Sequence, residues 1–343
     1  MKLEENISLA SFTTFKIGGK ARYFTRVREV AELEEVALFA QKEKLPLLVL
    51  GGGSNVLLPD EGFSGVVVKM DVLGIEFNET KKGTEIVVGA GESWDELVAL
   101  AAQKELWGLE NLSGIPGTVG GTPIQNIGAY GVEVAELIVW VEVFDPKTGS
   151  MYRMKKNTCK FGYRDSVFKH KAKHLVVTRA CFLLAKKGLP AIEYRDLREY
   201  FAKQRSAPQT PSDVRAAVLS IRSKKFPDLT KVGTAGSFFK NPIVSKGIHA
   251  RLKKRYPDLV SFPAGFGKMK LSLAWIIDHV CDLKGIRVGD AGVSGQQALV
   301  LCNFGNATAV DVRALAEKII SSVKEKTGVV VEPEVRLIEN STQ

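Results

Sequence analysis

Two glycine-rich stretches carry the residues best suited to chemistry, and the chemistry they suit is the holding of a diphosphate. In the first, Gly51, Gly52, Gly53, Ser54 and Asn55 follow the apolar run 45–50, so that a strand empties into a turn whose free amides can meet phosphate oxygens. The second, GIPGTVGGTPIQNIGAY at 114–130, crowds Gly114, Gly117, Gly120, Gly121 and Gly128 with Pro116 and Pro123, and adds Thr118, Thr122, Gln125 and Asn126 as uncharged donors. Glycine weakens helices and strands, so such clustering fits places where main chain turns tightly or approaches a ligand closely. Taken singly, each loop is more often a structural turn than a ligand site. Neither has the lysine of a Walker A motif, and neither has the G-x-G-x-x-G spacing that opens a dinucleotide-binding helix. Together, two amide-rich loops suit one long diphosphate cofactor.

These loops need a scaffold, and the chain is long enough to build one. With 343 residues, 45% of them apolar, it can bury a sizeable core and form two or three domains. The formal net charge of +10 raises the question of a nucleic-acid partner. The basic residues are spread along the chain, with small clusters at 222–225 and 253–255 and no nucleic-acid-binding signature, so no such partner is expected. A basic surface also serves an anionic small substrate. Cys159, Cys181, Cys281 and Cys302 are far apart and read as buried thiols in a reducing compartment. No apolar run approaches the ~18 residues of a membrane helix, and the N-terminus has no signal-peptide pattern, so a cytoplasmic protein is expected. His170 and His174 stand four apart without the glutamate of H-E-x-x-H, and no metal is expected.

Hydrophobic periodicity supplies the positioning elements. Residues 21–26 alternate as a strand, and Val30, Leu33, Val36, Ala37 and Ala40 recur at helical spacing. Strands at 47–50 and 66–70 complete a β-α-β start around the first glycine loop. A strand at 85–88 leads to Ser93 and Glu96, read as a capping box that opens a helix to about 104. Residues 138–144 and 151–154 form a hairpin, and 176–184 a further strand. Two prolines between 205 and 212 mark a boundary or long loop. Beyond it lie helices at 214–221, 271–281 and 310–323, the last closed by Gly328, and strands at 329–331 and 335–338. The whole reads as α+β.

Six motifs, in order, resemble those of the UDP-N-acetylenolpyruvoylglucosamine reductases, the MurB family of bacterial cell-wall synthesis. They are GGGSN at 51–55, IPGTVGG at 115–121, PIQNIGAYG at 123–131, FGYRDS at 161–166, AGSFFKNP at 235–242 and EPEVR at 332–336. Any one alone is weak, whereas six in family order are specific. The resemblance implies an FAD-binding region of the vanillyl-alcohol-oxidase type in two subdomains, 1–75 and 76–210, an α/β substrate-binding domain at 211–325, and a return segment at 326–343. EYRDL at 193–197 and the insert 252–270 resemble the longer subfamily, in which a tyrosine-bearing loop closes over the substrate. Phe262 stands where that tyrosine is expected, with Tyr256 as a second candidate for the missing hydroxyl.

The reaction so implied reduces an enolpyruvyl ether to a lactyl ether, with NADPH as reductant and non-covalently bound FAD as carrier. Charge that builds on the substrate carboxylate must be stabilised by groups held in advance. By resemblance, Arg164 supplies a planar cationic fork, Glu334 stands beside the developing enediolate, and Ser237 gives the proton to the adjacent carbon. Gly51, Gly52, Gly53, Ser54 and Asn55 would hold the FAD diphosphate. Ile115, Pro116, Gly117, Gly121, Ile124, Gly128, Arg222 and Arg336 would surround the flavin and ribityl chain. Tyr194, Lys225, Asn241, Lys284 and Gln297 would contact UDP-N-acetylglucosamine enolpyruvate, with Tyr130, Tyr163 and Phe262 lining its pocket. A monomer without membrane insertion is expected. The competing readings are a different FAD oxidoreductase on the same scaffold and a basic nucleic-acid-binding protein.

Overall fold

The computed structural model describes residues 2–339. The chain divides into two compact units. The first comprises Ala21–Gly52 and Ser64–Ser223 with the N-terminal strand; the second comprises Ser8–Lys20, Gly53–Phe63 and the chain from Lys224 onward.

In the first unit, strands Glu4–Ser8, Lys20–Val27, Phe63–Met70 and Leu47–Leu50 form one sheet in that order, the last two parallel. Helix Val30–Lys42 buries Leu33, Val36, Ala37 and Ala40, as its periodicity requires. A second sheet runs Ser150–Lys155, Ile138–Asp145, Val176–Leu184, Gly83–Gly89, Ile75–Thr80, and all its pairs are antiparallel. The expected hairpin is there, with Asp145 opposite Ser150. Helix Trp94–Gln103 packs fully buried Trp94 edge-on against Phe182, and its indole N–H donates to the Leu112 carbonyl. Helices Arg195–Gln204 and Pro211–Lys225 bring Leu197, Phe201, Val214 and Val218 into a smaller cluster with Tyr130.

The capping box expected at Ser93 and Glu96 is not formed. Ser93 does stand at the N-cap, but its backbone bridges to Thr118 and the Trp94 amide donates to the Gly117 carbonyl at 3.1 Å. The glycine loop therefore satisfies one of the amides left unpaired at the helix start.

In the second unit, Gly233–Ser237, Val300–Asn303, Ala291–Val293 and Arg287–Val288 form an antiparallel sheet. Helix Ala309–Thr327 buries Val312, Leu315, Ile319 and Val323 in the core of this unit. Thr308 and Asp311 cap it, Asp60 accepts the Ala309 and Val310 amides, and Gly328 closes it at φ 73°. Residues 243–271 build a smaller sheet, Ile243–Ser245, Lys268–Leu271, Ser261–Pro263, with helix Lys246–Arg255.

Three expectations are corrected here. The helix read at 271–281 is a single turn, Leu273–Trp275, continuing as a π-helical turn, Ile276–Val280. Residues 329–331 alternate buried, exposed, buried as a strand would, yet they pair with no strand among the described residues. Alternation reports an extended chain over a core; a ladder needs a neighbour as well. The strand at 335–338 is reduced to Arg336–Leu337, parallel to Val56–Leu57. Among the described residues, no helix is long and apolar enough to cross a membrane.

Candidate functional site

Gly51 and Gly52 of the first glycine loop meet the second loop within the first unit. A Cβ on Gly52 would stand 2.6 Å from Gly117 Cα, and one on Gly51 would collide with Thr118 Oγ1. The approach is possible only without side chains. Thr118 Oγ1 and Gln125 Oε1 are buried without a hydrogen-bond partner. Buried polar atoms are nearly always paired, so uncommitted ones beside a bare backbone cradle fit a polar cofactor such as FAD, to which the Thr118 hydroxyl can donate and from which the Gln125 amide oxygen can accept. A Cβ on Gly121 would meet open space, while Ile115 and Ile124 pack against the core behind the loop.

Asp95, in the first turn of helix Trp94–Gln103, holds the start of the second loop. Its Oδ1 accepts the Gly114 amide at 2.5 Å, and Arg215 binds both its carboxylate oxygens at 2.5 and 2.8 Å. Burial works against the charge, but Arg215 and the Gly114 amide outweigh it and hold the carboxyl below its usual range. Arg222, two turns beyond Arg215, lies against Gly114 and hydrogen-bonds the Tyr130 hydroxyl. Burial pushes the Arg222 guanidinium down and the Tyr130 phenol up to about 12. The rings of Tyr130 and Tyr194 meet edge-on at 5.4 Å. Arg222, Tyr130 and Tyr194 are thus brought together.

Arg164 occupies a tight turn closed by two backbone bonds between Gly162 and Asp165, at 2.9 and 3.0 Å. Its φ is +51°, a conformation L-residues seldom adopt outside strained or functional sites. The guanidinium Nη2 donates to the Gly128 carbonyl at 2.5 Å, and the Tyr163 ring lies beside it, 5.7 Å from Cζ to centroid.

Ser237 and Glu334 come together in the second unit. Strand Gly233–Ser237 is bulged: Thr234 opposes Cys302 and Ser237 opposes Val300, so Ala235 and Gly236 share one partner position. Gly236 takes φ +74°, and the bulge breaks the strand's regular alternation just before Ser237, which rejoins the ladder opposite Val300. Behind it, Phe238 and Phe239 are buried and touch edge-on. The return segment docks on this stretch, Lys240 donating to the Glu332 carbonyl at 3.0 Å and Glu334 to the Phe238 carbonyl at 2.7 Å. Asn55, the last residue of the first glycine loop, donates from its side chain to the Glu334 carbonyl at 3.1 Å and accepts the Arg336 amide at 3.0 Å.

The remaining expected residues are placed more loosely. The Asn241 side-chain oxygen accepts the Leu273 amide, Lys284 pairs with Asp278 at 2.8 Å, and the Gln297 carbonyl closes the turn before strand Val300–Asn303. Lys225 ends helix Pro211–Lys225. Phe262 is exposed, opposite Lys270 in the small sheet. Tyr256 does not offer a free hydroxyl, since it donates to the Lys326 carbonyl at 3.1 Å. Asp95, Arg215 and Ser166 carry contacts that the sequence alone did not single out, and Asn126, noted only as a donor, has a larger part. Asp95 and Arg215 are 120 residues apart, and nothing local marks the pair.

Residues 21–155 match the model of an FAD binding domain, and residues 228–338 match that of the UDP-N-acetylenolpyruvoylglucosamine reductase C-terminal domain. The chain is 41% identical to the UDP-N-acetylenolpyruvoylglucosamine reductase of Shewanella oneidensis, covering 96% of each chain. It is 43% identical to that of Photobacterium profundum, over 98% of this chain and 96% of the relative. A crystal structure of the enzyme from Thermus caldophilus matches with a TM-score of 0.68 and 28% identity, over 99% of this chain and 100% of that one.

Proposed function

The chain belongs to the UDP-N-acetylenolpyruvoylglucosamine reductase family, and we propose that Arg164, Ser237 and Glu334 carry its chemistry. It is an FAD-dependent oxidoreductase of peptidoglycan precursor synthesis that takes its electrons from NADPH. Bound FAD supplies the two-electron transfer from NADPH to the terminal carbon of the enolpyruvyl group. The protein's own residues do the rest. Gly51 to Asn55 hold the diphosphate through backbone amides, and the loop at 115–128, with Arg222 and Arg336, surrounds the remainder without a covalent bond. Tyr130, Tyr163, Tyr194, Lys225, Asn241, Phe262, Lys284 and Gln297 bind the nucleotide sugar.

Reduction leaves negative charge on the substrate carboxylate, which Arg164 stabilises through a bidentate fork. Glu334 borders the developing enediolate. Ser237 Oγ gives its proton to the carbon next to the reduced one. Serine is a weak acid, but an enediolate is a strong base, and a hydroxyl fixed out of water can deliver to one face. The observation that supports this reading most directly is the bulge at Ala235 and Gly236, which breaks the strand's alternation just before Ser237, beside the backbone that anchors Glu334. We also place the enzyme in the cytoplasm as a monomer; Cys159, Cys181, Cys281 and Cys302, all free and buried, support a reducing compartment.

Stopped-flow absorbance separates the two half-reactions. Ser237→Ala should be reduced by NADPH at a near-normal rate, while its reoxidation by substrate slows by ~10²–10⁴-fold, the usual loss when a positioned proton donor is removed. Equal slowing of both steps, or of neither, removes Ser237 from this role.

A further inference from the structure

Asn126 makes more contacts than a loop residue needs. It is fully buried, ends the short helix Gly121–Gln125, and takes φ 45°. Asparagine tolerates that conformation, which would by itself account for the residue type. Its side chain adds something else. Nδ2 donates to Glu133 Oε2 and to the Gly162 carbonyl, both at 2.8 Å, and Oδ1 accepts the Ala135 amide at 3.1 Å. A flipped amide would set its oxygen against two acceptors, so the network admits one orientation.

Gly162 opens the turn that carries Arg164. Two further bonds tie this turn to the same short stretch of the second glycine loop: Ser166 Oγ donates to the Ile124 carbonyl at 2.8 Å, and Arg164 Nη2 to the Gly128 carbonyl at 2.5 Å. Ile124, Asn126 and Gly128 alternate along one segment, and each holds a different part of the Arg164 turn. We propose that Asn126 is a positioning residue for Arg164: it registers the cation against the loop expected to hold the flavin, so that the fork is set before substrate arrives. The proposal rests on the reading of Arg164 as the carboxylate-binding group. No other common side chain offers two donors and an acceptor on so short a stem. Aspartate has the shape without the donors, and glutamine is one carbon too long.

A double-mutant cycle on the FAD-loaded enzyme tests it, read as the rate of flavin reoxidation by substrate. Asn126→Gly keeps the left-handed backbone and removes only the side chain. It should slow reoxidation by about 10–100-fold, the scale of a small misplacement of a reacting group. Reduction by NADPH should change less than about threefold. In an Arg164→Lys background, the same substitution should add less than about threefold, because a residue that acts through Arg164 has little left to disturb. Asn126→Asp should be worse than Asn126→Gly, since its carboxylate faces Glu133 and the Gly162 carbonyl. Normal reoxidation in Asn126→Gly, additive losses in the double variant, or equal slowing of both half-reactions each overturns the inference. Should Asn126→Gly fail to fold, Ser166→Ala replaces it in the cycle, with a smaller loss and the same non-additivity expected. If Arg164→Lys alone reoxidises normally, the role assigned to Arg164 fails first and takes this inference with it.

Discussion

The amide of Glu334 donates to the carbonyl of Phe238 at 2.7 Å, one residue beyond Ser237. The carboxylate and the hydroxyl to which chemistry is assigned are therefore anchored through one short stretch of backbone. Gly236 sets the bend on the other side of Ser237. A Cβ there would touch nothing within 4 Å, but its φ of +74° suits only glycine well. Gly236→Ala should therefore fold, lose about 1–2 kcal/mol to backbone strain, and present Ser237 wrongly. Reoxidation by substrate should slow at least tenfold while flavin reduction by NADPH is kept. Unchanged reoxidation would show that the bulge does not aim the hydroxyl.

Gly52 and Gly117 test the meeting of the glycine loops. With 2.6 Å between a Cβ on Gly52 and Gly117 Cα, Gly52→Ala must push the loops apart by several tenths of an ångström or more. Purified Gly52→Ala should retain its fold by circular dichroism and lose most of its yellow colour. Full retention of FAD at micromolar protein would mean that the loops do not form the diphosphate cradle.

Asp95 predicts an acid limit. Its carboxyl is held below the usual range in the folded protein, so its contribution to stability is complete above the unfolded value of about 4 and is lost as pH falls through the lower, folded value. Asp95→Asn keeps the shape but weakens the Arg215 pair, and should cost about 1–2 kcal/mol near neutral pH, the scale of a charge-assisted hydrogen bond. The variant should also release FAD more readily, because Gly114 loses its charged acceptor. Thermal melts from pH 3 to pH 7 decide: the gap between parent and variant should shrink toward the acid end. A gap that stays constant or widens there would contradict the assignment.

Much of this protein was legible without coordinates because the signals were local. Helix Val30–Lys42, the hairpin that closes at Asp145 and Ser150, and the close of helix Ala309–Thr327 at Gly328 each follow from periodicity or turn chemistry within a few residues. The glycine loops were legible for a related reason: only a backbone that must come close to something tolerates so many glycines in succession. Two of the failures among the elements share a cause. Ser93 had the right neighbours for a capping box, and 329–331 had the alternation of a strand, but whether either forms depends on what lies across from it. At the first, the Gly117 carbonyl takes the Trp94 amide and the Ser93 backbone bridges to Thr118; at the second, no pairing strand stands among the described residues.

Sequence by itself therefore determined the class of fold, the two amide-rich loops and the motif set that marks the family, because these are written in residue type and spacing along the chain. Tertiary structure alone decided that Gly52 meets Gly117, that Asp95 is clasped by Arg215, that Tyr256 spends its hydroxyl on Lys326, and that Asn126 ties the Arg164 turn to the loop at 124–128. Each of these joins residues 36 to 120 positions apart. A hydrogen bond reads the distance between two groups in space, and at such separations the chain leaves that distance open until the core between them has packed.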